Sequence, residues 1–259
     1  MAFGHWQTGI HIQQDGVFGV ALTCEKSQWA LRRWWHIPLE AGVIAEGKIL
    51  QPEKLFTALL PWSKTLPRRH RLRIAFPAAR TLQKKLPRPA MQLCEREQVS
   101  WVTNTMAREL EMPGEELRFD YSEDRLQNAW SVTAAQSKEV SVLLELAKSL
   151  HLHVAAVTPD ACALQRLLPW LAPPARWLAW RDATQWLWAT REGWGRQPRD
   201  TTATVEELAL RLGLDISEGQ VCHSGAFDPW CAITHRQPPL PTNGEAYAVA
   251  IGLALGERY

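Results

Sequence analysis

Apolar and polar residues alternate near the start of the chain, which is the pattern of half-buried β-strands. The alternation over residues 8–22 is interrupted by Asp15-Gly16, a pair typical of a tight turn between antiparallel strands. Residues 28–38 have the composition of a third strand. A similar pattern returns over residues 177–190, again with a short polar break in its middle. The sequence therefore predicts two β-meanders, each of which opens one half of the chain.

Helical and strand segments follow each other between and after the two meanders. Apolar residues at helical spacing predict helices over 52–66, 93–111, 138–150, 160–168, 204–212 and 246–255. Short apolar runs bounded by turn residues predict strands over 72–77, 81–86, 117–122, 129–135, 151–158 and 221–222. This order predicts two related α/β halves, with a small α+β insertion in the first half.

Composition narrows the class of protein. Of the 259 residues, 46% are hydrophobic and 22% are charged, which excludes a disordered, collagen-like or low-complexity chain. The sequence lacks an apolar run of the roughly 18–20 residues that a membrane span requires, and its first residues do not resemble a secretory signal. The five cysteines are scattered without CxxC spacing, which argues against a disulfide framework or a zinc knuckle. We expect a soluble protein of a reducing compartment.

Charge is distributed unevenly, although the net charge is only +2. Residues 54–94 contain ten Lys and Arg without one acidic residue, and residues 95–124 contain nine acids against three Arg. Such a basic stretch can attract an anionic partner, either nucleic acid or lipid headgroups. Alternatively, a basic strand pairs with its acidic neighbour inside one domain. The sequence leaves both interpretations open.

Several segments resemble one family over nearly the whole chain. The segments at 86–89, 95–97, 107–112 and 119–121 resemble the inserted subdomain of PilM-type pilus assembly proteins. Further resemblance to this family comes from V-T-P-D-A-C-A-L-Q-R at 157–166 and from Y-A-V-A-I-G-L-A-L-G at 247–256. Sequence strings such as FDYSED and RQPPLP are most similar to those of PilM-type proteins from DNA-utilisation systems.

The PilM-type resemblance implies an actin-like architecture. It implies a two-lobed α/β fold similar to those of FtsA and PilM, with an inserted small α+β subdomain in the first half and a reduced fourth subdomain. The corresponding domain boundaries are 1–85 for part of the first actin-like subdomain, 86–158 for the insertion and 159–259 for the shortened second half.

The phosphate-binding turns depart from the family pattern. Actin-like ATPases hold phosphates with two hairpin turns built of small residues, since backbone N–H groups must approach the phosphate closely. Here the first turn has Gln13, Gln14 and Asp15, the second has Asp182 and Thr184 without a glycine, and the adenosine loop around Gly225 is also degenerate. We therefore expect no cofactor, with ATP binding lost, and no catalytic residue: the protein is not an enzyme.

Other residue combinations give no strong prediction of chemistry. His151 and His153 are two apart on a predicted strand and share a face, but the sequence supplies no third metal ligand. Cys222 and Cys231 lack zinc spacing. His223, Ser224 and Asp228 lack the G-x-S-x-G context of a nucleophile. We expect no metal site.

The resemblance implies a partner-binding role. It implies a cytoplasmic, non-catalytic assembly protein of a type IV pilus-like DNA-uptake system, which allows extracellular DNA to serve as a nutrient. The implied partner is an inner-membrane PilN-like protein, whose cytoplasmic N-terminal peptide binds a groove between the first subdomain and its insertion. The candidate partner-binding residues at that groove are Phe76, Pro77, Arg80 and Leu86.

Two alternative functions compete with this interpretation. One is a nucleotide-binding actin-like switch or weak ATPase, which the degenerate turns disfavour. The other is direct, non-specific DNA binding through the basic 54–94 stretch. Only Phe76 is aromatic between Arg68 and Arg88, whereas DNA binders usually present stacking aromatics or a groove-reading helix.

Overall fold

A computed structural model describes residues 5–89, 91, 93–124, 128–222 and 226–256 of the chain. The strands within this part are, in chain order, β1 (Trp6–Ile12), β2 (Gly16–Glu25), β3 (Gln28–Pro38), β4 (Ile44–Ala45), β5 (Lys48–Ile49), β6 (His70–Phe76), β7 (Thr81–Pro87), β8 (Leu117–Asp124), β9 (Ala129–Gln136), β10 (Val154–Pro159), β11 (Trp177–Arg181), β12 (Gln185–Ala189), β13 (Trp194–Pro198) and β14 (Gly219–Val221). The α-helices are α1 (Pro52–Ser63), α2 (Glu95–Leu110), α3 (Ser137–Ser149), α4 (Asp160–Leu164), α5 (Val205–Leu212) and α6 (Ala248–Leu255).

The chain forms two compact units. The larger unit comprises Met1–Ala79 together with Leu146–Tyr259, and the smaller unit comprises Arg80–Glu145. These bounds differ from the insertion predicted at 86–158. The difference arises because β7 pairs with β9 inside the smaller unit, whereas β10 pairs with β6 inside the larger one.

The first sheet of the larger unit has the strand order β10-β6-β1-β2-β3. Its hairpin and meander are as predicted from Asp15-Gly16, with β1, β2 and β3 antiparallel. The strands β6 and β10 extend it in parallel to β1. Helix α1 buries Leu55, Leu59 and Trp62, and the ring of Trp62 meets that of Trp35 in β3 at 5.9 Å between centroids.

The second sheet has the strand order β13-β12-β11-β14 and repeats the meander of the first. Alternating residues of β11 point to opposite faces, as strand geometry requires. Trp177 and Ala179 pack in a cluster with Leu208 and Ala209 of α5, whereas Leu178 and Trp180 face the main core. Between β13 and β14 the described chain contains α5 and a short 3-10 turn, which agrees with a fourth subdomain reduced to a helix.

One core joins the two sheets of the larger unit. It contains side chains from β2 and β3, from β11 and β12, and from α4 and α6. Every residue of α6 is buried, which explains its almost entirely apolar sequence. The helix lies so close to β1 that a Cβ added to Gly9 would be 2.1 Å from the carbonyl oxygen of Ala250.

The smaller unit is a three-stranded antiparallel sheet with the order β7-β9-β8. Its core contains Leu86, Trp130 and Val132 of the sheet together with Val102 and Met106 of α2. The predicted helix over 93–111 is present as α2. The helix predicted over 160–168 ends earlier, because α4 passes into a 3-10 helix at Gln165–Trp170 that contains Pro169.

Candidate functional site

The turn between β1 and β2 contains the first set of predicted phosphate-turn residues. Gln14 and Asp15 are exposed, and the backbone N–H of Gln13 donates to the carbonyl of Gly16 at 2.8 Å. The side-chain amide of Gln13 donates to the Ala246 carbonyl at 3.4 Å and lies 3.1 Å from Nδ1 of His11. A side-chain hydrogen bond therefore connects this turn to the segment that precedes α6.

The turn between β11 and β12 contains the second set, and the carbonyl of Asp182 accepts a hydrogen bond from the Arg199 guanidinium at 3.1 Å. Oδ1 of Asp182 accepts hydrogen bonds from the backbone N–H of Thr184 at 2.6 Å, from its hydroxyl at 2.9 Å, and from the backbone N–H of Gln185 at 2.8 Å. This is the local geometry by which an Asp stabilises a turn. The Asp182 carboxylate is directed at its own turn.

Two aromatic rings meet where the strands approach these turns. His11 ends the buried part of β1, Trp180 lies near the end of β11, and their rings contact edge to face with centroids 5.3 Å apart. The indole N–H of Trp180 donates to the Glu245 carbonyl at 2.8 Å. Burial lowers the pKa of His11 to about 4, against a smaller opposing effect of the Asp182 charge, so its imidazole is neutral at pH 7.

A buried carboxyl group lies at the start of α4. Oδ1 of Asp160 accepts hydrogen bonds from the backbone N–H groups of Ala78 at 2.9 Å and Ala161 at 2.7 Å, and so joins the end of β6 to the end of β10. Burial raises the pKa of Asp160 to about 7, although the two hydrogen bonds act to lower it. The charge of Asp182 also raises this pKa, and the charge of Arg196 lowers it. The sequence places Asp160 only at the start of a predicted helix and assigns it no role in the site. The signal that could have found it is a single acid between a strand and an apolar helix.

The third predicted nucleotide-binding element is the adenosine loop. Gly225, together with His223 and Ser224, lies outside the described residues. Phe227, which follows this segment, is buried in the main core.

The four predicted partner-binding residues are distributed over both units. In the larger unit, Phe76 is 5% exposed at the end of β6 and Pro77 is half-buried. In the smaller unit, Leu86 is 4% exposed and belongs to the core, and Arg80 donates from Nε to Glu139 at 3.0 Å and from a second nitrogen to its other carboxylate oxygen. Phe76 and Leu86 are thus buried side chains, whereas Leu82 on the same strand as Leu86 is 49% exposed.

The basic stretch divides into two parts with different surroundings. In the smaller unit, Arg80 pairs with Glu139, Lys84 with Glu109 at 2.6 Å, and Arg88 with Glu123. This is the pairing of a basic strand with acidic neighbours that the sequence offered as one alternative. In the larger unit, by contrast, Lys64, Arg68, Arg69 and Arg71 are exposed.

The histidines considered as metal ligands have a different arrangement from the predicted one. His151 has a left-handed backbone with φ of 55° and lies before β10, which begins only at Val154, so it does not share a strand face with His153. The backbone N–H of His153 donates to Nε2 of His70 at 3.1 Å. Over residues 5–256, with the gaps stated above, no group of three or more His, Cys, Asp or Glu side chains is arranged to hold a metal ion.

No helix in the described part of the chain has both the length and the apolar character needed to cross a membrane.

Comparisons with known proteins identify relatives of the whole chain. It is 52% identical to the DNA utilization protein HofM of Escherichia coli K12 over 259 residues, which cover 100% of both chains. The fold is similar to a structure described as the PilM-PilN type IV pilus biogenesis complex, with a TM-score of 0.70, 15% identity and coverage of 96% of this chain and 97% of that chain. No protein-family model matches the chain.

A second structure extends this likeness. The cytoplasmic domain of EpsL, an inner-membrane component of the type II secretion system of Vibrio cholerae, matches with a TM-score of 0.60 and 12% identity, over 97% of this chain and 95% of that chain. The actin-like α/β fold expected from the sequence is confirmed.

Proposed function

The chain belongs to the family of the DNA utilization protein HofM, and we propose that it is a non-catalytic assembly protein of a type IV pilus-like DNA-uptake system. In this role it supports the use of extracellular DNA as a nutrient. It acts on the cytoplasmic side of the inner membrane by binding the N-terminal peptide of a PilN-like, HofN-type membrane protein. The observation that carries this proposal is the identity with HofM along the whole chain.

The absence of catalysis in this proposal is supported by the centre of the larger unit. A nucleotide in an actin-like protein needs glycine-lined turns whose N–H groups face its phosphates. Here the ring of His11 contacts Trp180, and the amide of Gln13 reaches Ala246. The Asp182 carboxylate accepts hydrogen bonds from its own turn instead of facing a ligand. We therefore propose that the protein binds no nucleotide cofactor.

Calorimetric titration with Mg-ATP tests this part of the proposal. We expect no affinity tighter than about 1 mM and no release of inorganic phosphate. A micromolar dissociation constant would instead favour the nucleotide-dependent switch.

The partner-binding part of the proposal is supported by the edge of the smaller sheet. Strand β7 is an edge strand, and Leu82 exposes an apolar side chain on it, between the predicted contact residues Arg80 and Leu86. An extended peptide commonly binds where a sheet edge offers an apolar side-chain contact. Phe76, Pro77, Arg80 and Leu86 remain predicted contact residues. Because Leu86 is in the core and Arg80 pairs with Glu139, changing either would also disturb the smaller unit.

Leu82→Asp is the sharper variant for this test. It introduces a charge at an exposed apolar side chain and leaves the buried core of the smaller unit unchanged. We expect binding of a synthetic peptide from the partner's N-terminus to weaken by tenfold or more, which is about 1.4 kcal/mol. The matched control is Leu210→Asp, since Leu210 is 83% exposed on α5 of the larger unit. Equal peptide affinity of the two folded variants would remove β7 from the interface.

A further inference from the structure

Exposed cationic side chains cluster at one end of the first sheet. The parallel strands β1, β6 and β10 all begin at this end. The backbone N–H of Trp6 donates to the Arg69 carbonyl at 3.3 Å, and that of Leu72 donates to the His153 carbonyl at 2.9 Å. The segments that precede β6 and β10 therefore lie side by side.

These two segments carry charge of one sign. Taken with the first two residues of β6 and the last two of α3, they span residues 64–71 and 148–153, which together contain five Lys and Arg and no acidic residue. We call these five residues the basic pole: Lys64, Arg68, Arg69, Arg71 and Lys148. All five are exposed. Among the residues that the structure describes, none of the five has an ion-pair partner, in contrast to Arg80, Lys84 and Arg88 of the smaller unit.

Hydrogen bonds hold the basic pole in place. The side chain of His70 is buried, and its Nδ1–H donates to the Pro67 carbonyl at 2.7 Å while its Nε2 accepts from the backbone N–H of His153. The backbone N–H of His151 donates to the Lys148 carbonyl at 3.0 Å. Because the backbone is already ordered, binding an anionic surface would order only the cationic side chains.

An aromatic residue adjoins the cations. Trp6 is half-buried beside Arg69, and its ring lies 6.5 Å from that of Trp35. Tryptophan is enriched at membrane–water interfaces, where the indole ring lies at the level of the headgroups. Trp6 thus belongs to the same end of the sheet as the exposed Lys and Arg, and a peripheral membrane contact uses these residue types together.

We propose that the basic pole binds the anionic lipid headgroups of a bilayer, so that the protein contacts the membrane itself as well as its membrane partner. The choice of a membrane rests on the proposed function, which places the protein beside the inner membrane. Attraction to an anionic leaflet strengthens binding by roughly fivefold for each Lys or Arg near the surface and decreases with salt. The proposed contact is peripheral, because it is made by exposed side chains of the basic pole.

Vesicle co-sedimentation of the full chain without its partner tests the proposal. We expect binding to vesicles of phosphatidylcholine with phosphatidylglycerol, and none to phosphatidylcholine alone. Arg68→Glu with Arg69→Glu should weaken binding by tenfold or more. Arg191→Glu with Arg211→Glu is the matched control, because it changes the net charge equally at exposed sites elsewhere. It should bind like the wild type, and circular dichroism and melting confirm that both variants fold.

The outcomes separate this proposal from its competitors. Equal binding of the two double variants, or equal binding to neutral vesicles, would overturn it. A third outcome is that the wild type binds duplex DNA tightly at about 150 mM salt but does not bind vesicles. If Arg68→Glu with Arg69→Glu then lost the DNA binding, the basic pole would be assigned to nucleic acid. Leu82→Asp should bind vesicles normally, so that loss of the peptide contact and loss of the lipid contact can be told apart.

Discussion

The two hairpins that open the two sheets occupy equivalent places in the fold but are stabilised in different ways. At the first, Gln13 reaches across the unit to the carbonyl of Ala246, far away in the sequence. At the second, the Asp182 carboxylate accepts hydrogen bonds from residues two and three positions ahead. The polar side chain of the first turn therefore forms a long-range contact, whereas the carboxylate of the second turn forms its hydrogen bonds locally.

The two hairpins are similar in the residues that precede their turns. Each places an aromatic ring before its turn, and the rings of His11 and Trp180 contact one another within the larger unit. The two hairpins therefore differ in the hydrogen bonds of their turns and share an aromatic contact between the residues that precede those turns. The following predictions test the contribution of each feature to stability.

The largest expected effect is that of Trp180→Ala. Trp180 is 2% exposed and joins β11 to the Glu245 carbonyl. Removing this buried ring should lower the free energy of unfolding by about 3–5 kcal/mol, measured by urea denaturation. Trp180→Phe keeps a ring beside His11 and should lose less. A loss below about 1 kcal/mol for Trp180→Ala would show that the ring contact contributes little to the larger unit.

Gly9→Ala tests how closely β1 approaches α6. The added Cβ would be 2.1 Å from the Ala250 carbonyl oxygen and 2.8 Å from the backbone nitrogen of Ala254, so backbone must move. We expect a loss of about 2–3 kcal/mol in the same denaturation measurement. Gly193→Ala is the control, because its nearest neighbour is an atom of Trp188 at 4.0 Å. Similar melting temperatures for the two variants would contradict the close approach.

The pH dependence of stability should separate the contributions of His11 and Asp160. The pKa of His11 is lowered to about 4, so its contribution to stability is complete above pH 6.5 and is lost as the pH falls towards 4. The pKa of Asp160 is raised to about 7, so its contribution is complete below pH 3.8 and is lost as the pH rises towards 7. The two trends oppose each other over nearly the same range.

Single variants should reveal each trend. Relative to the wild type, Asp160→Asn should gain stability as the pH rises from 4 to 7, and His11→Phe should gain stability as the pH falls from 6.5 to 4. Urea denaturation at several pH values measures both differences. A difference from the wild type that is independent of pH in both variants would show that neither group titrates in this range.

The smallest effect is expected for Asp182→Ala, because the carboxylate is partly exposed and forms its hydrogen bonds within its own turn. Loss of its hydrogen bonds should lower stability by about 1 kcal/mol. The variant should also lower the pKa of Asp160, since the Asp182 charge contributes to raising it. The measurement is the stability difference between Asp182→Ala and its combination with Asp160→Asn as a function of pH. An unchanged Asp160 titration would show that the two carboxyl groups do not interact.

The sequence by itself determined the local elements and the family. Asp15-Gly16 between alternating strands specified the first hairpin, because turn chemistry and side-chain alternation act over a few residues. Helical spacing likewise specified α2 and α6 to within a few residues. The long strings shared with the PilM-type family supported the actin-like fold, which the whole-chain comparisons confirm.

Only the tertiary structure decided which members of one basic stretch are paired. In the sequence, Arg68 and Lys84 are equivalent cations in an acid-free run. The pairing of β7 with β9 positions Lys84 beside Glu109 of α2, whereas the segment before β6 leaves Arg68 exposed at the end of the first sheet. Likewise β10 joins β6, and Leu86 enters the core of the smaller unit. These outcomes depend on pairings between residues far apart in the chain, which local periodicity does not encode.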